Sequence, residues 1–186
     1  MSSLGSLLAA SLALSMMKLA GLRQRDGVTC GPTVAVVAGA LLDPGYREAL
    51  QTPHLFHAEQ GRVHRLVNRL WPRRLGTTPV GVARAISAHS PVRYRWRLFR
   101  GLLPGGRDAL SDVLSAVRAG RPVAVLVGRF LPRHWILVVG AGEGRLHCYE
   151  PSSGQVCEVA IDAVRRGGLT GLGFPTPFAF VLPRRW

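Results

Sequence analysis

The feature that most restricts the fold is a change of pattern near Gly120. Ahead of it, apolar residues recur mainly at helical spacing. Beyond it, short β-like runs follow one another over residues 122–127, 135–139, 145–149, 155–161 and 178–182, separated by Gly, Pro and Ser. Runs of this length, rich in β-branched and aromatic residues and bounded by turn formers, read as strands. Helices gathered first and strands afterwards imply an α+β fold rather than an alternating, doubly wound one. One extra helical turn is expected over residues 162–166.

The helical half divides at its punctuation. Pro32 near the start and Ala-rich apolar spacing predict a buried helix from about Cys30 to Leu42, ended by Asp43-Pro44-Gly45. Residues 56–71 predict an amphipathic helix with Val63, Leu66, Val67 and Leu70 on one face. Gly76-Thr77-Thr78-Pro79 carries a Thr cap and a first-turn Pro, opening a helix to about Ala88. Residues 92–99 alternate arginine with Val, Tyr, Trp and Leu, which reads as a strand with one buried aromatic face and one solvated arginine face. Residues 108–119 form another helix, closed by Gly120.

A chain of 186 residues, 47% apolar and 18% charged, can bury one substantial core and is not of disordered composition. The net charge is +14, and Lys18 is the only lysine. The arginines are spread along the chain and form no basic arm, so nucleic acid is not the expected partner. Residues 1–22 read as an apolar N-terminal helix or extension, and residues 23–186 as the domain. Ser2 to Met17 is uncharged, lacks a preceding basic stretch and is short for a membrane span. A cytoplasmic location is favoured, with membrane association through this segment left open. Three cysteines, Cys30, Cys148 and Cys157, do not make a disulfide framework, although Cys148 and Cys157 fall on neighbouring hairpin strands. No zinc spacing occurs, and the grouping of His54, His57, His64 and Glu59 reads as a solvated helix face. No metal or cofactor is expected.

Four residues carry the chemistry. Cys30 stands at a predicted helix start, where unpaired N–H groups favour a thiolate, and Gly31 beside it leaves room for a substrate backbone. His134 precedes the apolar run 135–139, at the mouth of a central strand, where it can take and return a proton. Glu150 follows the next β-like run. In an antiparallel hairpin it reaches the same end as His134 and can fix the imidazole tautomer. Gln24, six positions before Cys30, has an amide that can donate to an oxyanion together with the Cys30 N–H. Trp135 is expected both to pack in the core and to shield His134, and His147 to sit on the rim. Each of the four is ordinary taken alone.

Taken together, Gln24, Cys30-Gly31, His134 ahead of an apolar strand, and Glu150-Pro151 resemble the papain-like cysteine peptidases. The closest branch is the peptidase domain that removes double-glycine leaders from bacteriocin precursors. The resemblance spans roughly residues 21–154. It implies a papain-like fold, with an N-terminal helical lobe carrying the cysteine and a C-terminal antiparallel β lobe carrying the histidine, and a peptide or protein substrate. Thr29 stands where that branch has Asp, Glu150 replaces its usual Asp, and no transporter is attached. The same four residues also suit a deamidase or acyltransferase, and the arginine-rich surface suits a catalytically inactive binding module.

Overall fold

The computed structural model describes residues 22–68, 76–99 and 109–184. The apolar segment over residues 1–21 and the expected helical residues 69–71 lie outside them. Within them, helices α1 (Cys30–Leu42), α2 (Pro44–Glu48), α3 (Pro53–Val67) and α4 (Pro79–Ser87) precede strand β1 (Tyr94–Leu98) and helix α5 (Leu110–Arg118). Strands β2 (Val123–Gly128), β3 (Pro132–Gly142), β4 (Arg145–Glu150) and β5 (Gln155–Ala160) follow. Helix α6 (Ile161–Arg165), a 3-10 turn (Thr170–Leu172) and β6 (Thr176–Pro183) complete the order. The class is α+β, with one six-stranded sheet in the order β1-β6-β2-β3-β4-β5, antiparallel at every pairing.

Strand β3 explains how the layers stack. Its run Trp135-Ile136-Leu137-Val138-Val139 is buried throughout, so both faces of the strand must be covered. Side chains alternate across a strand. Trp135, Leu137 and Val139 therefore join one core with α1, α3 and α4. Ile136 and Val138 join a second core with Leu110, Val113 and Val117 of α5. Helix α1 lies deep in the first core, buried from Cys30 to Ala40, which is why its sequence is apolar on every side.

The helix starts follow their caps. Thr52 Oγ1 accepts from the Leu55 N–H at 3.3 Å, and Thr78 Oγ1 accepts from the Gly81 N–H at 3.1 Å. Each satisfies one of the unpaired donors of a first turn.

Three expectations need correction. Asp43-Pro44-Gly45 ends α1 and also starts α2, because the Asp43 carboxylate caps the Tyr46 N–H at 3.1 Å and Pro44 takes the first helical position. In α3 the buried face is made by Phe56, Gln60, Gly61 and Val63, while Leu66 is 53% exposed. In β1 only Tyr94 is buried; Trp96 and Leu98 are open to solvent beside the arginines. Trp96 and Leu98 share the face of Tyr94, which is covered at Tyr94 and open beyond it, while on the other face Arg97 reaches Asp112 of α5 at 2.6 Å. Among the described residues no helix is long and apolar enough to cross a membrane.

Candidate active site

Cys30 is the first residue of α1 and is 4% exposed. The N-cap, Thr29, makes no side-chain cap, because its hydroxyl donates to the Asp26 carbonyl at 3.0 Å and accepts from the Asp26 N–H at 3.1 Å. Of the first turn of α1, the Cys30 and Gly31 N–H groups meet the sulfur, Pro32 has none, and the Thr33 N–H is taken by the Thr29 carbonyl at 2.9 Å. The N–H groups of Trp135, Gly31 and Cys30 itself all stabilise the thiolate form, but burial outweighs them and raises the thiol above its ordinary value of 9.0. The amides act in the expected direction on the thiol, and desolvation acts against them and is the larger of the two.

Gly31 has a different role from the expected one. A Cβ there would fall 2.7 Å from Thr77 Cβ and 3.2 Å from the Trp135 ring. The missing side chain admits Thr77 and Trp135, so that α1, the start of α4 and the start of β3 meet. Trp135 locks this junction by donating its indole N–H to the Thr77 carbonyl at 3.0 Å. At 2% exposure its indole is a core side chain, not a lid.

His134 is one residue ahead of Trp135 and pairs across β2 with Val127. Its Nε2 lies 2.8 Å from Glu150 Oε1. A carboxylate at Nε2 assigns the proton to that nitrogen and leaves Nδ1 as the free base. Burial pulls the imidazolium below its ordinary value of 6.5, and the hydrogen bond and charge of Glu150 counter only part of that. The ring also lies against Phe174, with centroids 5.6 Å apart. Among the described residues no hydrogen bond joins the Cys30 sulfur to the His134 ring; the link between the two elements is the Trp135 N–H on the sulfur.

Glu150 ends β4, and the extra methylene relative to Asp does not keep it from His134. The turn Pro151-Ser152-Ser153-Gly154 folds back on its carboxylate. Ser152 N–H donates to Oε1 at 2.9 Å and Ser153 N–H to Oε2 at 2.7 Å. Burial raises the carboxyl, but these two amides overcome it and hold the group below its ordinary value of 4.5. A cavity of about 320 Å³ opens here, lined among others by His134, Glu150, Ser152, Ser153 and Phe174.

Gln24 is brought to the same end of the sheet by its backbone. Its N–H donates to the Pro151 carbonyl at 2.8 Å, and Tyr149 Oη donates to the Leu22 carbonyl at 2.6 Å. Gln60 of α3, fully buried, clamps the flanking residues: its amide donates to the Arg23 carbonyl at 3.0 Å and its oxygen accepts from the Arg25 N–H at 2.9 Å. The Gln24 Oε1 is buried without a hydrogen-bond partner.

The structure therefore brings His134 and Glu150 into contact, ties Gln24 to the residue after Glu150, and sets Cys30 against the start of β3. The residues missed in the sequence are Thr77, Gln60, Ser152 and Ser153. Most act through backbone groups, which leave no mark on residue identity. The Ser-Ser-Gly turn after Glu150 was the one available signal. Cys148 and Cys157 are directly opposed across β4 and β5, yet both thiols are free. Burial pushes the Cys148 thiol up to about 12. His147 is half-buried on β4, opposite Glu158 of β5 and 3.8 Å from its carboxylate. Glu59, grouped in the sequence with three histidines, is instead engaged by Tyr46 Oη at 2.7 Å and by Arg62. The chain matches no protein-family model, and comparison with curated proteins gives no match.

Proposed function

We propose that this chain is a thiol hydrolase of the papain-like kind that cleaves peptide bonds. The observation that carries the reading is the 2.8 Å contact of His134 Nε2 with Glu150, next to a residue whose N–H meets the sulfur of a helix-start cysteine. A buried imidazole fixed by a carboxylate at one nitrogen presents a base at the other. The helical layer carrying Cys30 and the antiparallel sheet carrying His134 agree with the two-lobed arrangement of that superfamily.

In this reading Cys30 is a neutral thiol at rest and His134 a neutral imidazole. As the sulfur attacks a carbonyl carbon, His134 Nδ1 takes the thiol proton and the carbonyl electron pair moves to oxygen. The Gln24 amide and the Cys30 N–H stabilise that oxygen. The carbon–nitrogen bond then breaks, and His134 returns its proton to the departing amine. Water attacks the thioester with His134 again as base, releasing the acid and restoring the thiol. Glu150 keeps the tautomer and balances the transient imidazolium. Loss of a side-chain amide, or transfer of the acyl group to an amine, uses the same steps with a different amide or a different acceptor.

The binding-module reading draws on one observation, the burial of Cys30 and its raised thiol. The two are separated by incubating the full chain with a proteome-derived peptide pool and mapping new termini by mass spectrometry. New termini made by the wild type but not by Cys30→Ala or His134→Ala support hydrolysis. A wild type that cleaves nothing and forms no acyl adduct on Cys30 sinks it.

A further inference from the structure

The turn between β2 and β3 does the opposite of what a folded chain usually does with large apolar side chains. Phe130 is 86% exposed and Leu131 63% exposed, at the tip of Gly128-Arg129-Phe130-Leu131-Pro132-Arg133. The tip is not a loose loop. Gly128 pairs with Pro132 and with Thr176, and a Cβ on Gly128 would collide with the Leu131 carbonyl, so the backbone closes tightly on a glycine. The Arg129 guanidinium lies 5.9 Å from the centre of the Phe130 ring. Arg129 and Arg133 are both exposed, and neither is in an ion pair with a carboxylate among the described residues. Leu98, 55% exposed, lies toward the same end of the sheet on edge strand β1.

We propose that this tip docks on an anionic lipid surface, with Phe130 and Leu131 entering the boundary of the acyl chains and Arg129 and Arg133 meeting the headgroups. The tip is convex. Peptide recognition by the chain itself calls for a concave, lined pocket, whereas a protruding apolar pair suits a soft phase that closes around it. The flanking charges are all of one sign, complementary to anionic headgroups, and the whole chain is at +14. Leu131 is three residues ahead of His134, so docking brings the candidate active site close to the surface. The inference stands on the tip alone and does not depend on the hydrolase reading.

The test is co-sedimentation of the full chain with phosphatidylcholine vesicles, with and without phosphatidylglycerol. Wild type is expected to bind the anionic vesicles only. The double variant Phe130→Ser, Leu131→Ser is expected to bind them about tenfold less, since two apolar side chains no longer leave water. Arg129→Gln, Arg133→Gln should lose binding as well, and added salt should weaken the wild type. All these positions are exposed, and unchanged circular dichroism verifies folding. Wild-type binding that survives Phe130→Ser, Leu131→Ser overturns the proposal and assigns binding elsewhere, as does equal binding to neutral vesicles. Absence of vesicle binding, with a raised KM for a cleaved peptide in the same variant, overturns it in favour of a peptide contact.

Discussion

The imidazole of His134 and the carboxylate of Glu150 are joined at 2.8 Å, and the carboxylate is held from behind by the amides of Ser152 and Ser153. One oxygen, Oε1, serves both His134 and Ser152. Glu150 thus has no freedom to turn away without giving up two charge-assisted hydrogen bonds, and His134 inherits that rigidity. The pair sits at the end of two hairpin strands, where the chain has already fixed both backbones.

Glu150→Gln keeps the shape and removes the charge. Glu150 raises the His134 pKa against burial, so its loss leaves burial unopposed and the pKa falls further. The acid limb of hydrolysis is expected to move to lower pH, while the plateau rate drops by about 100-fold or more as the tautomer is lost. A pH–rate profile with any peptide found to be cleaved, together with an NMR titration of His134, checks both. A limb that moves to higher pH would contradict the assignment.

The resting thiol sets a second expectation. Because burial raises Cys30 above 9.0, the midpoint of its alkylation by iodoacetamide should lie above that value. The measurement follows the Cys30 peptide by mass spectrometry, so that Cys157 does not contribute. A midpoint near neutrality would indicate a preformed thiolate, held by His134 as an ion pair.

Stability should fall with acidification. His134 and Glu150 both have folded pKa values below their ordinary ones, so the unfolded chain takes up protons first. Their stabilisation is complete above the unfolded values. It is lost first as pH drops below 6.5, where unfolded histidine titrates, and again below 4.5, where unfolded glutamate does. Asp43, also depressed, adds to the second step. Urea midpoints across this range should decline, and the lower step should shrink in Glu150→Gln.

Trp135→Phe removes the indole donor and leaves the Thr77 carbonyl without its partner among buried groups. A loss of about 2–3 kcal/mol is expected in chemical unfolding, from the unpaired carbonyl and the smaller ring. An unchanged midpoint would mean that Thr77 and Trp135 do not hold the junction of α1, α4 and β3.

Gln24→Ala separates catalysis from folding. The Gln24 oxygen is buried without a partner, so truncation removes an unsatisfied acceptor, and stability should stay level or rise slightly. If the amide serves the oxyanion, kcat should fall by about 100-fold with KM little changed. A large fall in stability with normal kcat would assign Gln24 a purely structural part.

Much of the local order was readable directly. Thr78-Pro79 capped and opened a helix, Gly120 closed one, and the continuous apolar run after His134 marked a strand covered on both faces. The misreadings share one cause. Leu66, Trp96 and Leu98 are apolar and correctly spaced, yet exposed, because periodicity shows which residues share a face and not whether another layer covers it. Gly31 was rightly singled out, but what needs its missing side chain is Thr77, a neighbour 46 positions away in the chain.

By itself the sequence determined the class of fold, the helix start at Cys30, and the hairpin spacing that sets His134 and Glu150 at one sheet end. These follow from caps, turn residues and the two-residue period of a strand, all of which act over a few positions. Only the tertiary structure decided the protonation of the site. Whether Cys30 rests as thiol or thiolate depends on how much water the packed layers remove and on which backbone amides they bring to the sulfur. Neither quantity is a property of any short stretch of chain, because desolvation is produced by all the neighbours at once.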